Sequence, residues 1–475
     1  MNVVVVSNRV ARPNSSEAIN GGLAAALLPA VKSYGAIWVG SSGKTREFGQ
    51  RDAFAEIEAF GKGALATVDL PKEHYNGYYE GFANAALWPT FHSRADLIRS
   101  THEDYLAYRA VNAYMARALQ RFCKPEASYW VQDYHFLPLG LELRKLGVEQ
   151  PIGFFLHTPW PGPDTICAMP HHRDIVEAML AFDLIGFQTT NDHQNFAAYL
   201  KHELGLRVVN GAVTSRHGVC RLATFPIGID VEDFARRATK AAAGPQIARL
   251  RASLQGAKLC IGVDRVDYSK GLPNRIRAFD RLLTLEPALK GQVSLLQIAV
   301  PSRSGIPTYA QLQAELSTMV GEVNGRHGEA DWTPIRYLNK GFSQATLAGF
   351  YRAAHVGLVT PLHDGMNLVA KEYVAAQNPF DPGVLVLSRH AGAAQELDSA
   401  LLVNPNDIDD IARKTATALS MSCAERCERW QAAMEKLRAT SVHAWFARFV
   451  KALAATRRVP GTTLPEAPEI AVKTH

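Results

Sequence analysis

A short segment in the second half of the chain carries two cations that suit an anionic ligand. Arg265 and Lys270 lie within Asp264–Leu272, directly after the apolar run Leu259–Val263, which has the length of a buried strand. Arginine offers a planar fork of donors and lysine a compact charge, and together they suit a diphosphate. The alternative is that both cations pair with aspartates of the same segment on a solvated loop. Their place after a predicted strand favours the diphosphate.

A second segment, Pro361–Glu372, combines an Asp-Gly turn with the start of a predicted helix. Backbone amides in such a turn can bind sugar hydroxyls and phosphate oxygens. The carboxylate of Glu372, further along the helix, can accept hydrogen bonds from a ribose diol. The alternative makes Asp364 a helix cap and leaves Lys371 and Glu372 on an exposed helix face. Spacing alone favours this alternative.

Near the N-terminus, Gly21 and Gly22 precede a predicted helix, and Arg9 follows a predicted strand. The free N–H groups at the start of a helix attract anions, so these residues are candidates for a phosphate site. A plain glycine-rich turn explains the two glycines equally well, and Arg9 favours the phosphate.

Polar residues also follow two apolar runs of the first half. Asp133 comes after Tyr129–Gln132, and His157 comes after Ile152–Leu156. The carboxyl ends of parallel strands line the ligand cleft in doubly wound folds. Both side chains are therefore candidates for binding hydroxyls or for acid–base chemistry.

The sequence evidence for sugar-stacking aromatic residues and for a metal site is weaker than that for the anion-binding segments. Tyr79 and Trp88 offer faces on which a sugar can stack, but ordinary core packing explains them equally well. The acidic triplet Asp407–Asp409 resembles a divalent-cation motif, yet its place before a helix favours capping. We therefore predict no metal site.

Composition limits the class of protein. The chain has 475 residues, 47% hydrophobic and 20% charged, which is typical of a globular protein with two or three domains. The net charge is 51 − 45 = +6 without a basic cluster, which argues against nucleic acid and fits anionic small molecules. Six cysteines are too few for a disulfide framework. With no signal-like or membrane-spanning stretch, we expect a cytoplasmic protein with reduced thiols that does not bind membranes.

Strand-length apolar runs alternate with helical patterns along the chain, and this alternation predicts an α/β fold with parallel sheets. The predicted strands are Val3–Ser7, Ala36–Val39, Tyr129–Gln132, Ile152–Leu156, Leu184–Phe187, Leu259–Val263, Val293–Ala299, Ile335–Leu338, Gly357–Thr360, Val384–Leu387 and Leu401–Val403. The predicted helices include Tyr105–Phe122, Ile175–Phe182, Leu272–Leu285, Tyr309–Asn324, Gln344–Ala353, Leu368–Ala376 and Asp409–Ser420. The pattern restarts after Pro226–Ile229, so we predict two doubly wound, Rossmann-like domains facing a cleft, residues 1–228 and 229–440. Residues 441–456 form a last predicted helix, and 457–475 form a loose tail.

Five segments together resemble the trehalose-6-phosphate synthases, which are retaining glycosyltransferases of the two-domain B-type (GT-B) fold. The segments are Val5–Arg9, Asn84–Pro89, Gln132–His135, Asp267–Leu272 and Asp364–Tyr373, and the resemblance extends from Val3 to residue 455. It implies transfer of glucose from UDP-glucose to glucose 6-phosphate, giving trehalose 6-phosphate and UDP. It also implies retention of the α configuration without a covalent intermediate, a required metal or another cofactor.

The resemblance further assigns roles to residues of this sequence. The implied catalytic residues are Arg265, Lys270, Asp133, His157 and Asp364. The implied donor-binding residues are Gly21, Gly22, Arg265, Lys270, Phe342, Leu368, Val369, Ala370, Lys371 and Glu372. The implied acceptor-binding residues are Arg9, Tyr79, Trp88, Asp133 and Arg303, with Trp88 and Thr158 selecting the anomer. A last helix that crosses back to the first domain, a homo-oligomer (dimer or tetramer), and a trehalose-6-phosphate phosphatase as pathway neighbour in osmoprotection are also implied.

The sequence departs from the family pattern at a few positions. His363 stands where the family has arginine, and Thr158 stands where an aliphatic residue is expected. The segment Ser302–Pro307 is similar to, but not identical with, the usual acceptor-phosphate loop. A transferase with another donor nucleotide or acceptor, such as a glucosylglycerol-phosphate synthase, and an inactive sugar-phosphate sensor stay open as alternatives. The presence of Arg265 and Lys270 favours catalysis.

Overall fold

The computed structural model of the chain describes residues 2–10, 27–28, 31–47, 56–303 and 306–456. These residues fold into two compact units. The first contains the described residues up to Phe225 together with those from Phe446 onward, and the second contains those from Pro226 to Trp445. In the described ranges, no helix combines the length and the apolar character needed to cross a bilayer.

The first unit is built on one sheet, in which the described strands follow the order β3-β4-β2-β1-β5-β6-β7-β9-β8. The strands are β1 (Asn2–Arg9), β2 (Ile37–Arg46), β3 (Glu56–Phe60), β4 (Gly63–Pro71), β5 (Ala127–Gln132), β6 (Ile152–Phe155), β7 (Leu184–Phe187), β8 (Ala212–Ser215) and β9 (Gly218–Thr224). Pairing is parallel except at the two edges, where β3 and β8 run antiparallel to their neighbours. The central strands are buried on both faces, which explains their continuous apolar sequence.

The helices of this unit connect and cover the sheet. They are α1 (Lys72–Asn76), α2 (Trp88–Phe91), α3 (His102–Leu119), α4 (Leu139–Lys145), α5 (Pro163–Cys167), α6 (His172–Met179) and α7 (Thr190–Glu203), and the π-helix Gly77–Leu87 lies between α1 and α2. A Thr-Asp capping box begins both α3 and α7, because the side chain of Thr101 or Thr189 satisfies an N–H group of the first turn.

The second unit contains a sheet whose described strands are all parallel, in the order β12-β11-β10-β13-β14-β15. The strands are β10 (Lys258–Arg265), β11 (Val293–Val300), β12 (Ile335–Leu338), β13 (Val356–Val359), β14 (Val384–Ser388) and β15 (Leu401–Val403). The helices are α8 (Val231–Ala242), α9 (Pro245–Leu254), α10 (Leu272–Leu285), α11 (Pro307–His327), α12 (Gln344–Ala353), α13 (Leu368–Ala376), α14 (Ile408–Ser420) and α15 (Cys423–Ala439). Because the strands are parallel, their carboxyl ends form one edge, and the loops after β10 and β13 meet there.

The last described helix, α16 (Val442–Ala454), carries the aromatic residue that completes the core of the first unit. Phe449 is fully buried, and its ring stacks on Trp130 of β5 with a centroid separation of 4.3 Å. Glycines in the two neighbouring strands make the space: a Cβ on Gly153 would lie 2.9 Å from this ring, and a Cβ on Gly186 would lie 2.8 Å from it. Side chains at these two positions would displace Phe449.

The cysteines agree with the prediction of free thiols. All six are unpaired in the structure. Cys423 and Cys427, one helical turn apart on α15, have their sulfur atoms 4.0 Å from each other.

Candidate functional site

The loop after β10 places the two predicted cations at the carboxyl edge of the second sheet. Arg265 is the last residue of β10, and Lys270 ends a single 3₁₀ turn, Tyr268–Lys270. Gly271 then has φ +64°, and a Cβ there would lie 2.3 Å from the carbonyl oxygen of Thr360. Glycine therefore lets this loop lie against the end of β13.

Lys270 contacts a residue from the second predicted segment. Its Nζ lies 2.5 Å from Oδ2 of Asp364, and the two side chains are only 12% and 14% exposed. The amide of Asn367 donates to the same carboxylate oxygen at 2.9 Å. The structure thus brings together a cation and a carboxylate that are 94 residues apart in the sequence.

Asn367 is a candidate site residue that our sequence reasoning missed. It adopts φ +69°, which is uncommon for residues other than glycine. Its Oδ1 is buried and accepts no hydrogen bond from the described residues. A buried acceptor without a donor is costly, so this oxygen is suited to a ligand hydroxyl. Its position directly before the predicted helix, within the Asp-Gly segment, could have identified Asn367 from the sequence.

Helix α13 begins at Leu368, as predicted. The first N–H groups of a helix have no partner within it, so Leu368 and Val369 can offer amides to an anion or a hydroxyl. The N–H of Ala370 donates to the carbonyl oxygen of Asn367 at 3.3 Å. One turn into the helix, burial raises the pKa of Glu372 to about 7.

The side chain of Lys371 is buried and does not lie on an exposed helix face. Its ammonium is fully buried, pairs with Glu396 and donates to the carbonyl oxygen of Ile227 at 2.7 Å. The lysine chain therefore points into the second unit, and only its backbone is suited to the predicted donor contact. The alternative of an exposed helix face is also wrong for Lys371.

Beneath the loop, Arg275 and Asp264 form a buried ion pair, and hydrogen bonds of Arg275 connect it to β11 and to the residue after β13. Arg275 of α10 is fully buried and donates to Asp264 at 2.7 Å, to Gln297 at 3.2 Å and to Thr360 at 3.1 Å. Desolvation raises the pKa of Asp264, although the adjacent guanidinium opposes this shift. The partner of Asp264 is thus Arg275, a residue that sequence reasoning missed. This network fixes the strand end from which Arg265 projects.

Other predicted residues of the second unit lie along the same edge. Phe342 follows β12 and packs edge-on against Phe350, with Lys340 near its ring. Arg303 has φ +49°, and its guanidinium lies 3.6 Å from Asp267. It also donates to the hydroxyl of Tyr309 at 2.6 Å.

His363, the predicted departure from the family pattern, lies in the loop after β13. Burial lowers its pKa to about 4, so the imidazole is neutral at neutral pH. This chain therefore lacks a positive charge at that position.

In the first unit, Asp133 has a backbone conformation that indicates function. Its angles, φ +70° and ψ 170°, fall in a region that is essentially restricted to glycine. Its carboxylate accepts a hydrogen bond from the N–H of His157 at 3.1 Å. Such strain costs about 1–3 kcal/mol and is typical of active sites and ligand contacts.

His157 lies between two glutamine side chains. Its Nε2 is 2.9 Å from Oε1 of Gln132, and its Nδ1 is 3.5 Å from Nε2 of Gln188. Burial lowers the pKa of His157 to about 3, so the ring is neutral at neutral pH. The neutral ring can donate one hydrogen bond and accept another, so both predicted roles, hydroxyl binding and acid–base chemistry, stay predictions. A hydroxyl-binding role is compatible with this environment.

The predicted acceptor residues of the first unit lie on β1 and on the segment around the π-helix. Arg9 ends β1 beside Gly43, where a Cβ would lie 2.8 Å from the guanidinium. Tyr79 stacks between Tyr75 and His135, with ring centroids 5.7 and 5.9 Å away. The buried Trp88 lies 5.5 Å from the ring of Tyr134.

Thr158 is buried, and its hydroxyl makes no hydrogen bond to a described residue. The predicted donor contacts Gly21 and Gly22 lie outside the described residues. In the part of the chain that the structure describes, no three His, Cys, Asp or Glu side chains are grouped so that they could hold a metal ion.

Comparison with known proteins supports the resemblance inferred from the sequence. The model of glycosyltransferase family 20 matches residues 2–455. A trehalose-6-phosphate synthase of Sinorhizobium fredii is 44% identical over 457 residues, covering 96% of this chain and 98% of the relative.

Solved structures agree with this comparison. An α,α-trehalose-phosphate synthase (UDP-forming) of Burkholderia xenovorans in complex with glucose 6-phosphate has a TM-score of 0.92 and 44% identity, over 95% of this chain and all of that one. The E. coli protein bound with UDP-2-fluoroglucose has a TM-score of 0.89 and 40% identity, over 97% of this chain and all of that one. The predicted α/β fold of the two-domain B-type is confirmed. The chain belongs to glycosyltransferase family 20, and trehalose-6-phosphate synthases match it over nearly its whole length.

Proposed function

We propose that the protein transfers glucose from UDP-glucose to glucose 6-phosphate, giving α,α-trehalose 6-phosphate and UDP with retention at the donor carbon. The observation that carries this proposal is the contact of Lys270 with Asp364 and of Asp364 with Asn367, next to the start of α13. It combines a cation for a diphosphate with a carboxylate and amide for sugar hydroxyls. Family membership supports the same substrates.

The proposed roles follow from the chemistry of the groups. An ammonium has three donors, so Lys270 can hold Asp364 with one and diphosphate oxygens with the others. Arg265 adds a guanidinium at the end of the neighbouring strand. These cations stabilise the negative charge that develops on UDP as the glycosidic bond breaks. Asp364 then positions the donor glucose, and Glu372 accepts from the ribose.

We propose a front-face displacement for the retaining step. The leaving diphosphate remains beside the acceptor hydroxyl and takes up its proton while the new bond forms. Asp133 binds an acceptor hydroxyl, and Arg9 binds the acceptor phosphate with Tyr79 and Trp88 beside the sugar.

The proposal needs no metal and no cofactor besides the co-substrate. Unchanged turnover in excess chelator supports this, and loss of turnover that Mg²⁺ restores contradicts it.

The direct test is release of UDP from UDP-glucose after addition of glucose 6-phosphate, with the product identified by NMR. We expect a 1,1-linked α,α disaccharide phosphate. A panel of UDP-, GDP- and ADP-glucose decides the donor, and glycerol 3-phosphate tests the acceptor alternative. Binding of both substrates without UDP release would instead support the sensor alternative.

The pH dependence of UDP binding tests the role of Glu372. Burial raises the pKa of this carboxyl to about 7. Ribose hydroxyls donate hydrogen bonds, so they favour the ionised carboxylate, and protonation removes part of its acceptor capacity. We therefore expect UDP to bind more weakly as the pH falls through 7, by roughly tenfold for a hydrogen bond to a charged group. Calorimetric titration of wild type and Glu372→Gln at several pH values measures this.

The Glu372→Gln variant supplies the control, because UDP phosphates also titrate near neutral pH. Subtracting its profile from that of wild type leaves the contribution of Glu372. Identical pH profiles for the two proteins would contradict a ribose contact by this carboxylate.

The buried hydroxyl of Thr158 gives a prediction on acceptor binding. Since no described residue bonds to this hydroxyl, Thr158→Val removes an unsatisfied group and leaves the free energy of unfolding unchanged or higher. If the hydroxyl contacts the acceptor, the KM for glucose 6-phosphate rises by about fivefold, which corresponds to a hydrogen bond of about 1 kcal/mol. The KM for UDP-glucose should not change.

Thr67→Val is the matched control for this variant, because Thr67 is also buried in the first unit and its hydroxyl also lacks a described partner. It should leave both KM values unchanged. An unchanged KM for glucose 6-phosphate in Thr158→Val would exclude the proposed contact.

A cytoplasmic location, a homo-oligomeric state and a phosphatase as pathway neighbour stay predictions. Light scattering of the purified protein measures the oligomeric state.

A further inference from the structure

The chain passes from one unit to the other after Phe225 and again after Trp445. The residues inside the second unit at these two places, 226–230 and 440–443, are called here the crossing segments. They are packed backbone to backbone: a Cβ on Gly228 would lie 1.8 Å from the carbonyl oxygen of Thr440. The N–H of Val442 donates to the carbonyl oxygen of Ile229 at 3.2 Å. Because they share these contacts, the two crossing segments cannot shift independently.

Helix α13 contacts the first crossing segment through Lys371. The ammonium donates to the carbonyl oxygen of Ile227 at 2.7 Å, and it pairs with Glu396. Lys371 is fully buried. The other carboxylate oxygen of Glu396, Oε1, is buried and accepts no hydrogen bond from a described residue. The lysine side chain is thus out of contact with solvent, whereas that of Glu396 is 12% exposed.

We infer that Lys371 is a positioning residue that couples the donor-binding start of α13 to both crossing segments. The inference rests on the proposed function in that α13 binds the donor. The helix has nine residues and moves as a rigid element, so a displacement at Leu368 is carried to Lys371 one turn away. The ammonium then carries Ile227 with it, because breaking this contact would cost the fully buried lysine one of its hydrogen bonds. The hydrogen bond from the N–H of Val442 to Ile229 passes the displacement to the second crossing segment.

The test compares hydrogen exchange of the crossing segments with and without saturating UDP. In wild type we expect UDP to change the exchange rates of residues 226–230 and 440–443. The variant Lys371→Met/Glu396→Gln removes the buried charges together, because a single replacement would leave one of them unpaired. We expect this variant to bind UDP but to lose the exchange difference in both segments. Its kcat should fall by about 5- to 150-fold, the usual range of coupling between two sites.

Two further variants provide a control for the double variant and a separate test of the link between the two crossing segments. Lys258→Met is the matched control, because Lys258 also donates to a distant carbonyl oxygen of the second unit, that of Leu419. It should retain the exchange difference and kcat. Val442→Pro removes the N–H that bonds to Ile229, at a first helical position where proline is tolerated. It should retain the UDP effect at 226–230 and lose it at 440–443, and it tests the second link even if the double variant does not fold.

An exchange difference that persists in Lys371→Met/Glu396→Gln, or that is absent from wild type, would overturn the inference. A merely structural role of Lys371 predicts lower thermal stability with the UDP effect intact. The exchange experiment uses UDP alone, so it tests the coupling even if glucose 6-phosphate is not the acceptor. If wild type released no UDP from UDP-glucose, the proposed function would be contradicted, but the exchange rates with and without UDP would still test the coupling.

Discussion

Replacement of Lys270 by alanine is expected to slow glucose transfer by a factor of about 10²–10³, the range for removal of one stabilising donor from a developing negative charge. The ammonium lies at the carboxyl edge of the second sheet and is only 12% exposed, so solvent screens it little. Its interaction strengthens as charge moves onto the diphosphate, and therefore kcat should fall more than the affinity for UDP-glucose. Steady-state assays of UDP release measure both.

Two controls accompany this prediction. Lys290→Ala removes an exposed lysine of the same unit and should leave turnover unchanged. Lys270→Ala/Asp364→Asn removes the carboxylate that the first substitution leaves without its cation. If the double variant recovered wild-type turnover, the defect of Lys270→Ala would come from the charge left on Asp364. Near-normal turnover in Lys270→Ala itself would refute the proposed role.

Replacement of Phe449 by alanine is expected to lower the free energy of unfolding of the first unit by about 3–5 kcal/mol, as for other buried phenylalanines. The ring is fully buried on Trp130, and the glycines at 153 and 186 contribute no side chain to fill the resulting cavity. Hydrogen exchange of β5, β6 and β7 in increasing urea reports on this unit separately from the other.

Phe380→Ala is the matched control, because Phe380 is 85% exposed. It should change stability by no more than about 0.5 kcal/mol, as is usual for surface positions. A loss below about 1 kcal/mol for Phe449→Ala would show that the described packing contributes little.

The parallel core of the fold was predictable because its strands are continuous apolar runs. Leu184–Phe187 and Ile335–Leu338 have the predicted bounds, as does the helix Gln344–Ala353. The antiparallel edge strand Glu56–Phe60 was missed, since it is short and mostly exposed and lacks the continuous apolar run of the buried strands. The π-helix Gly77–Leu87 was also missed, because its sequence is equally compatible with an ordinary helix.

The sequence singled out the segments that contain Lys270 and Asp364 because each comes directly after a predicted strand. It could not identify their partners. Arg275 lies on the face of α10 that also carries Leu272 and Ile276, so helical periodicity could have marked it as buried, but not which acceptors it contacts. The partner of Lys371 could not be identified because Ile227 is 144 residues away in sequence.

The position of Phe449 has a consequence for biosynthesis. On the ribosome, the first two hundred residues emerge long before the helix that closes their core. The aromatic surface around Trp130 must then stay open to water until residue 454 has left the exit tunnel. The first unit is thus the one that chaperones would have to protect for most of synthesis.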